Sequence, residues 1–475
     1  MSKNVLLINP KLPQSVANLN IPVSLLYLGT WLRLKGYRVN VLDAINADSD
    51  SRFYERLRDE LNGGVLAVGV SVMTAQISMP IIWGGVHPTL YPEQVARADY
   101  VDFAVVGEGE GSMVELLSVI ESGEEAKGVP LSGRDLIDID EVPSPDFSIL
   151  EGVRAIGGLA EVGRGIRTGL PLLESRGCAY ACKFCINSIT REKSRVRRSD
   201  LVIRDIEELL KAGVSEIRFF DEDFFVDRKR LLGFLDGIED RGLEFKWVAN
   251  ARADYFKESY LNSSLLERMK QDGCQLLEVG LESGSQRVLD MMGKGITVGD
   301  SLNTARLLSK VGIGAGFTFM VGLPGETMDE ARQTLRFVSR IAGMGGGIRI
   351  RGVFIYRPYA GSEFYERCLR LGMKPTASLK GWVSNPYMSD MGVGINPKDY
   401  SLFPWVEYPM RSLVKLSFYG WMAGIQLKWR WLTWIARRIG ILRCRHSWVR
   451  CPVEIWLFLL LRRLGITRRL AGGVF

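Results

Sequence analysis

The sequence predicts an α/β protein in three parts: an open, doubly wound parallel sheet, a partial (β/α)6 barrel, and a helical, basic, aromatic C-terminal region. Three observations predict it. Short β-rich apolar runs alternate with helical patterns up to about Glu110; the same alternation resumes from Leu170 to about Pro358; and tryptophans interleave with Arg and Lys from Trp421 to Phe458. Strands alternating with helices argue for parallel sheets, whose ligands sit at the carboxyl ends of the strands.

In chain order, Val5–Ile8 is the first strand. Val23–Lys35 has helical apolar spacing, with Gly36 at its C-cap. Tyr37–Leu42 and Val65–Val72 are further strands around a helix at Leu57–Leu61, followed by Ile81–Trp83 and Phe103–Val106. Only about six residues separate the third strand from the fourth, near Pro80, where a parallel crossover normally takes a dozen or more. Either one sheet face lacks its helix there or the chain has lost a segment. Residues 131–165, rich in Pro and Gly, read as a linker between a first domain at 1–130 and a barrel at 166–390; 391–475 form the C-terminal region. Barrel strands are expected at Leu172–Ser175, Glu216–Phe220, Lys246–Ala249, Leu276–Gly280, Gly316–Val321 and Ile348–Phe354. Helices are expected at Asp200–Ala212, Lys229–Asp240, Asn262–Gln271, Ser285–Met291, Asp300–Val311 and Met328–Ala342.

With 47% apolar and 24% charged residues, the 475-residue chain is neither disordered nor collagenous. Its 7 cysteines are too few for a disulfide framework. No run reaches the roughly 18 apolar residues of a spanning helix, and the N-terminal apolar run is too short for a secretory signal; a cytoplasmic protein is expected. The net charge of +7 is unevenly spread: Arg411–Arg469 holds 13 Lys/Arg and one acid, Glu454, while the rest has 48 basic and 53 acidic residues. An anionic partner should therefore meet the C-terminal region.

Three cysteines crowd into Cys178-Ala-Tyr-Ala-Cys182-Lys-Phe-Cys185, just after an expected strand. Three thiolates on one tight loop suit an Fe–S cluster with one iron left open. Zinc is the alternative, but a structural zinc site wants four ligands. The two histidines, His87 and His446, are distant, and Cys274 reads as a buried apolar residue. The CxxxCxxC loop resembles the radical S-adenosylmethionine (SAM) enzymes over residues 170 to about 360. That resemblance implies a 4Fe–4S cluster on Cys178, Cys182 and Cys185 whose open iron chelates SAM, and cleavage of SAM to a 5′-deoxyadenosyl radical after one electron from a flavodoxin- or ferredoxin-type donor. It places Phe184 near the adenine. It makes Phe220-Asp221-Glu222-Asp223 the acidic motif that accepts from the SAM ammonium, without deciding between Glu222 and Asp223. Glu282 and Ser283 fall at ribose and carboxylate contacts, and Gly322 and Pro324 in the adenine-side glycine motif. Arg252 could pair with a carboxylate, or form a surface or structural ion pair.

Residues 1 to about 110 resemble the Rossmann-like cobalamin-binding domain fused in front of many such enzymes, through Asn9-Pro10, Ser71-Val-Met-Thr74, Trp83-Gly84-Gly85-Val-His87-Pro-Thr89 and Gly107-Glu108-Gly-Glu110. The resemblance implies cobalamin contacts at Ser71, Thr74, Gly84, Gly85, His87, Gly107 and Glu108. No DxHxxG motif supplies an axial histidine, and His87 sits in the wrong loop for one. A domain that only packs on the barrel is the alternative. RNA methylthiotransferases, also relatives, use N-terminal cysteines for a second cluster; residues 1–177 hold none.

The expected activity is functionalisation of an unactivated carbon in an apolar or lipid-like small molecule, by methylation or by ring closure. A non-radical Fe–S or zinc protein is the alternative of another class. Tryptophan with basic residues favours a membrane headgroup zone, so peripheral membrane contact by the C-terminal region is expected. A plain helical lid and a nucleic-acid surface are the other readings, nucleic acid the weakest.

Overall fold

The computed structural model describes residues 3–9, 22–44, 47, 50–70, 80–122, 130–132, 136–149, 170–190, 194–376, 379–383, 403–408, 410–425, 429–447 and 453–457. They form two compact units.

The first unit is built on β1 (Asn4–Asn9), α1 (Val23–Leu34), β2 (Arg38–Asp43), α2 (Asp50–Asn62), β3 (Ala67–Val70), β4 (Ile81–Trp83), α3 (Val86–Leu90), α4 (Pro92–Ala96), β5 (Phe103–Val106), α5 (Gly109–Ser122) and β6 (Pro130–Ser132). The six strands are all parallel, in the order β2-β1-β3-β4-β5-β6. The Val-Leu-Leu-Ile run of β1 is buried throughout, as expected of a strand covered on both faces. Gly36 ends the turn after α1 at φ +90°, where the Tyr37 N–H reaches back to the Leu32 carbonyl at 3.1 Å.

The doubtful third crossover keeps its pairing: Val68 lies opposite Ile81 and Val70 opposite Trp83, in parallel. Ser71 and Thr74, and the short link Ala75–Met79, lie outside the described residues, as does Pro10. Two features escaped sequence reasoning. β6 adds a sixth strand where a linker was expected. Residues 139–149 are anchored on α1: the Asp146 N–H donates to Thr30 Oγ1 at 2.8 Å, and Arg33 pairs with Asp146 at 2.7 Å. Ile149 fills the space that a Cβ at Gly29 would need.

The second unit contains β7 (Leu170–Leu172), β8 (Ser175–Arg176), α6 (Asn187–Thr190), β9 (Arg195–Val196), α7 (Ser199–Lys211), β10 (Glu216–Phe219), α8 (Arg228–Asp240), β11 (Lys246–Ala251), α9 (Ser263–Gln271), β12 (Cys274–Glu282), α10 (Gln286–Met291), α11 (Val298–Val311), β13 (Gly314–Val321), α12 (Met328–Ala342), β14 (Ile348–Ile355) and α13 (Glu363–Arg370). Its main sheet is parallel, in the order β14-β13-β12-β11-β10-β7. Each β/α unit thus returns to the same rim, and the residues just past the strands share it. Helix starts are fixed by side chains, as in the capping boxes of Thr297 with Asp300 and Thr327 with Glu330. Sequence reasoning expected a single strand at Leu172–Ser175. Instead β7 ends at Leu172, and β8 pairs antiparallel with β9, so a small ribbon supports the base of the cysteine loop.

α14 (Leu379–Val383) packs with the first unit, although the chain around it belongs to the second. α15 (Met410–Gly424) lies on β14, where Gly420 meets Val353 and Gly424 meets the Ile350 carbonyl. α16 (Arg430–Arg445) crosses α15 at Gly440, where a Cβ would clash with Met422 and Ala423. Small residues at these points let helix and sheet approach closely. Among the described residues no helix is long and apolar enough to cross a membrane.

Candidate functional site

The cysteine loop leaves the β8 ribbon through Gly177, at φ +72°. It is held by backbone: the Cys185 N–H donates to Cys182 O at 3.0 Å, and the Lys183 N–H to Met292 O at 2.9 Å. Cys182 is buried; Cys178 and Cys185 are partly exposed. Burial pushes the Cys178 and Cys185 thiols above their ordinary range, so a cation that takes them must favour the thiolate, as iron does. Among the described residues no three Cys, His, Asp or Glu side chains converge closely enough for a single metal ion. A tetrahedral zinc–thiolate set needs its sulfurs about 3.8 Å apart. Cys274 begins β12, a 9-residue strand, at the end away from the rim. It is buried, as expected of a core residue. Three soft donors on one loop, without a fourth, fit a cluster with one open iron.

The acidic motif divides by role. Asp221 is fully buried and accepts from Ser175 Oγ and from the Glu174 N–H, so it supports the loop base. Both of its oxygens are engaged by protein. Glu222 is exposed. Asp223 is buried; its Oδ2 accepts from the Tyr255 hydroxyl at 2.6 Å, and its Oδ1 lacks a well-formed hydrogen bond among the described residues. Burial pushes its carboxyl up to about 6, against the Tyr255 hydroxyl and the Arg252 charge, which pull it down. A half-satisfied buried carboxylate fits an incoming ammonium.

Glu282 ends β12 at φ +59°, a left-handed conformation uncommon outside glycine. Its carboxylate accepts from Lys294 Nζ at 2.9 Å, and that ammonium lies 5.9 Å from the centre of the Phe184 ring. Burial alone would lower the Lys294 pKa, but the Glu282 carboxylate outweighs it and holds the lysine charged. The Ser283 hydroxyl is fully buried against Thr334 of α12, at 3.0 Å, and fastens strand to helix. Gly322 is engaged likewise. Its N–H donates to Glu326 Oε2 at 2.6 Å and its carbonyl accepts from the Trp405 indole at 3.0 Å, while Leu413 sits where a Cβ would point. The close approach that glycine permits is to the C-terminal region. Pro324 is buried in the same loop.

Sequence reasoning missed the Met292–Gly295 turn and two tyrosines. Gly293 and Gly295 take positive φ, so the turn packs on the cysteine loop and carries Lys294 inward. A lysine between two glycines was the available signal. Tyr180, inside the cysteine motif, donates to the Tyr255 hydroxyl at 3.1 Å. Arg252 is mostly buried rather than a surface residue, and reaches Asp254, Lys294 O and Cys182.

In the first unit, Gly85 follows β4 at φ +96°, ψ −158°, a conformation essentially confined to glycine. Gly107 follows β5 at φ +78°. Thr89 joins the two turns: its hydroxyl donates to Gly85 O at 2.7 Å and accepts from the Gly107 N–H at 3.0 Å. A Cβ on Gly85 or Gly107 would meet nothing within 4 Å, and one on Gly84 only Val105 at 3.9 Å. The carboxyl edge therefore offers open space with exposed backbone, which fits a large corrinoid. Glu108 is partly buried beside it. His87 lies in α3, against the rings of Tyr91 and Trp382, and burial lowers its pKa. The aromatic box explains its place without a metal.

Comparison with known proteins decides the family. Residues 174–338 match the radical SAM superfamily and residues 14–117 the B12 binding domain. The chain is a radical SAM enzyme with a B12-binding domain. Its cofactors are a 4Fe–4S cluster, SAM and cobalamin. It is 28% identical over 378 residues to an uncharacterized methyltransferase of Pyrococcus horikoshii, covering 73% of this chain and 78% of that one. It is 28% identical over 350 residues to the anaerobic magnesium-protoporphyrin IX monomethyl ester cyclase of Cereibacter sphaeroides, covering 66% of this chain but only 56% of the cyclase. In fold it resembles TsrM of Kitasatospora setae, a radical SAM methyltransferase, with a TM-score of 0.63 at 19% identity over 79% of this chain and 78% of that one. The cobalamin-dependent radical SAM enzyme OxsB gives a TM-score of 0.58 at 22% identity, over 77% of this chain and 55% of that one.

Proposed function

We propose that this radical SAM enzyme methylates an unactivated carbon of an apolar, lipid-like small molecule, replacing C–H by C–CH3. In this reading Cys178, Cys182 and Cys185 hold the cluster, Asp223 and Glu282 meet SAM beside Phe184, and the edge at Gly84, Gly85 and Gly107 receives cobalamin. When bound, these groups supply the electron entry, the hydrogen-abstracting radical and the methyl group. The chain's own share is positional. Asp223 would accept from the SAM ammonium, Tyr255 holds that carboxylate in place, and Glu282 is fixed by Lys294. A low-potential donor of the flavodoxin or ferredoxin type serves as electron source.

The observation that carries the reading is the thiol loop at a parallel-strand rim beside a buried, half-satisfied Asp223. The methyltransferase name of one relative supports methyl transfer; the cyclase relatives keep ring closure as the second reading. The test is anaerobic incubation of cobalamin-loaded enzyme with SAM, a reductant and candidate isoprenoid or porphyrin substrates. Methylation leaves S-adenosylhomocysteine beside 5′-deoxyadenosine in the products. Cyclisation leaves 5′-deoxyadenosine alone, and absence of both ends the radical reading.

The C-terminal helices support peripheral contact with an anionic lipid surface. Trp431, Trp434, Ile435 and Leu442 of α16 are each at least 40% exposed and recur at helical spacing, with Arg438 beside the Trp434 ring. The opposite face is buried at Gly440 and Cys444. The single acid between Arg411 and Arg469, Glu454, is engaged internally by a fork from Arg443, with contacts of 2.8–3.0 Å. What faces outward is aromatic and cationic. The protein should sediment with vesicles containing phosphatidylglycerol at low salt and less at high salt. W431S/W434S should release it, and failure to sediment under either condition would remove this partner.

A further inference from the structure

Arg252 directly follows β11 and is 7% exposed. Each part of its guanidinium is committed. Nε donates to Asp254 Oδ1 at 3.1 Å, Nη2 to the Lys294 carbonyl at 2.5 Å, and Nη1 points at Cys182 Sγ from 3.9 Å. Its Cζ lies 3.3 Å from the centre of the ring of Tyr180, inside the cysteine motif. The other nearby cation, Lys294, is neutralised by Glu282, and Asp254, the carboxylate paired with Arg252, lies on the Nε side, away from the sulfur-facing nitrogen. Nothing in SAM binding or methyl transfer, as read above, uses this residue.

We propose that Arg252 is a positioning residue that sets the reduction potential of the cluster through the Cys182 sulfur. Fe–S potentials follow net charge, burial and hydrogen bonds to the sulfurs. Reduction adds one negative charge, and a fixed cation with an N–H aimed at a ligand sulfur stabilises the reduced state more than the oxidised one. Arg252 therefore makes the cluster easier to reduce by an external low-potential donor. The fork geometry matters beside the charge, because Asp254 and the Lys294 carbonyl hold the remaining nitrogens so that Nη1 keeps its aim.

The inference rests on Cys178, Cys182 and Cys185 holding the cluster, and the experiment separates the two ideas. Full-length enzyme is reconstituted anaerobically, iron and sulfide are counted, and the midpoint potential is read by EPR-monitored titration without SAM. Parent protein that takes up no cluster would defeat the ligand assignment itself. With the cluster present, R252Q should lower the potential by 59 mV or more, a tenfold loss in the one-electron reduction equilibrium, and R252K by less. D254N, which removes a nearby negative charge and leaves both the arginine and an amide oxygen to hold its Nε, should raise it. D254N also covers the case in which R252Q assembles no cluster. Potentials of the loaded variants that match the parent would overturn the proposal.

Discussion

The barrel rim and the edge of the N-terminal sheet are both carboxyl ends of parallel strands, yet they are built in opposite ways. The rim is dense with committed side chains: Asp223 on Tyr255, Glu282 on Lys294, Arg252 on three partners. The sheet edge is glycine, open space and one threonine staple. A small charged ligand and a cluster need donors and acceptors held at fixed points. A corrinoid many times larger needs room and backbone. Similar strand topology thus serves two kinds of recognition, chosen by what fills the loops.

The sharpest break of this contrast is C182S. Iron content and 5′-deoxyadenosine formation should fall by on the order of 10²-fold or more, while corrinoid uptake, read by absorbance, stays at the parent level; joint loss would mean the two regions are not independent.

Next is E326Q. Burial pushes the Glu326 carboxyl up to about 7. An acid whose folded pKa exceeds its unfolded value, about 4.5, leaves stability whole below 4.5 and erodes it as pH rises to 7. The erosion amounts to at most about 3 kcal/mol. The glutamine should flatten the change in denaturation midpoint between pH 5 and pH 8; an unchanged slope would mean that Glu326 ionises freely in the folded rim.

D223N should then weaken SAM binding about 10- to 100-fold at pH 8, the scale of a hydrogen bond to a charged group, by equilibrium dialysis. S283A should leave that affinity alone and cost about 1 kcal/mol of stability; equal effects of the two would erase the distinction drawn between ligand and fastener. The smallest change is expected at the sheet edge. G107V strains a positive-φ turn by about 1–3 kcal/mol and should reduce corrinoid retention with cluster loading intact.

Fold class and both domains were legible because burial on both sheet faces writes continuous apolar runs, as in β1 and β13, and helix caps such as Thr327 stand in plain view. The cysteine motif was legible because its three thiols lie on one loop. The partners of Asp221 and Ser283 were not legible, because sequence position fixes a residue at the rim but not the direction of its side chain. Asp221 turns down to Ser175 and Ser283 back to Thr334. The surroundings of Gly322 were not legible, because its neighbours, Trp405 and Leu413, come from far along the chain. Lys294 was overlooked because only the folded turn brings it to Glu282.

The indole of Trp405 and the hydroxyl of Tyr408 both end on the Gly322–Glu326 loop. A shortened chain stopping before Phe403 would strip that loop of its cover and lay a buried carboxyl open to water. What reads as an appendage is therefore a foundation of the catalytic half, and attempts to trim it for easier handling should be expected to weaken the very rim they were meant to isolate.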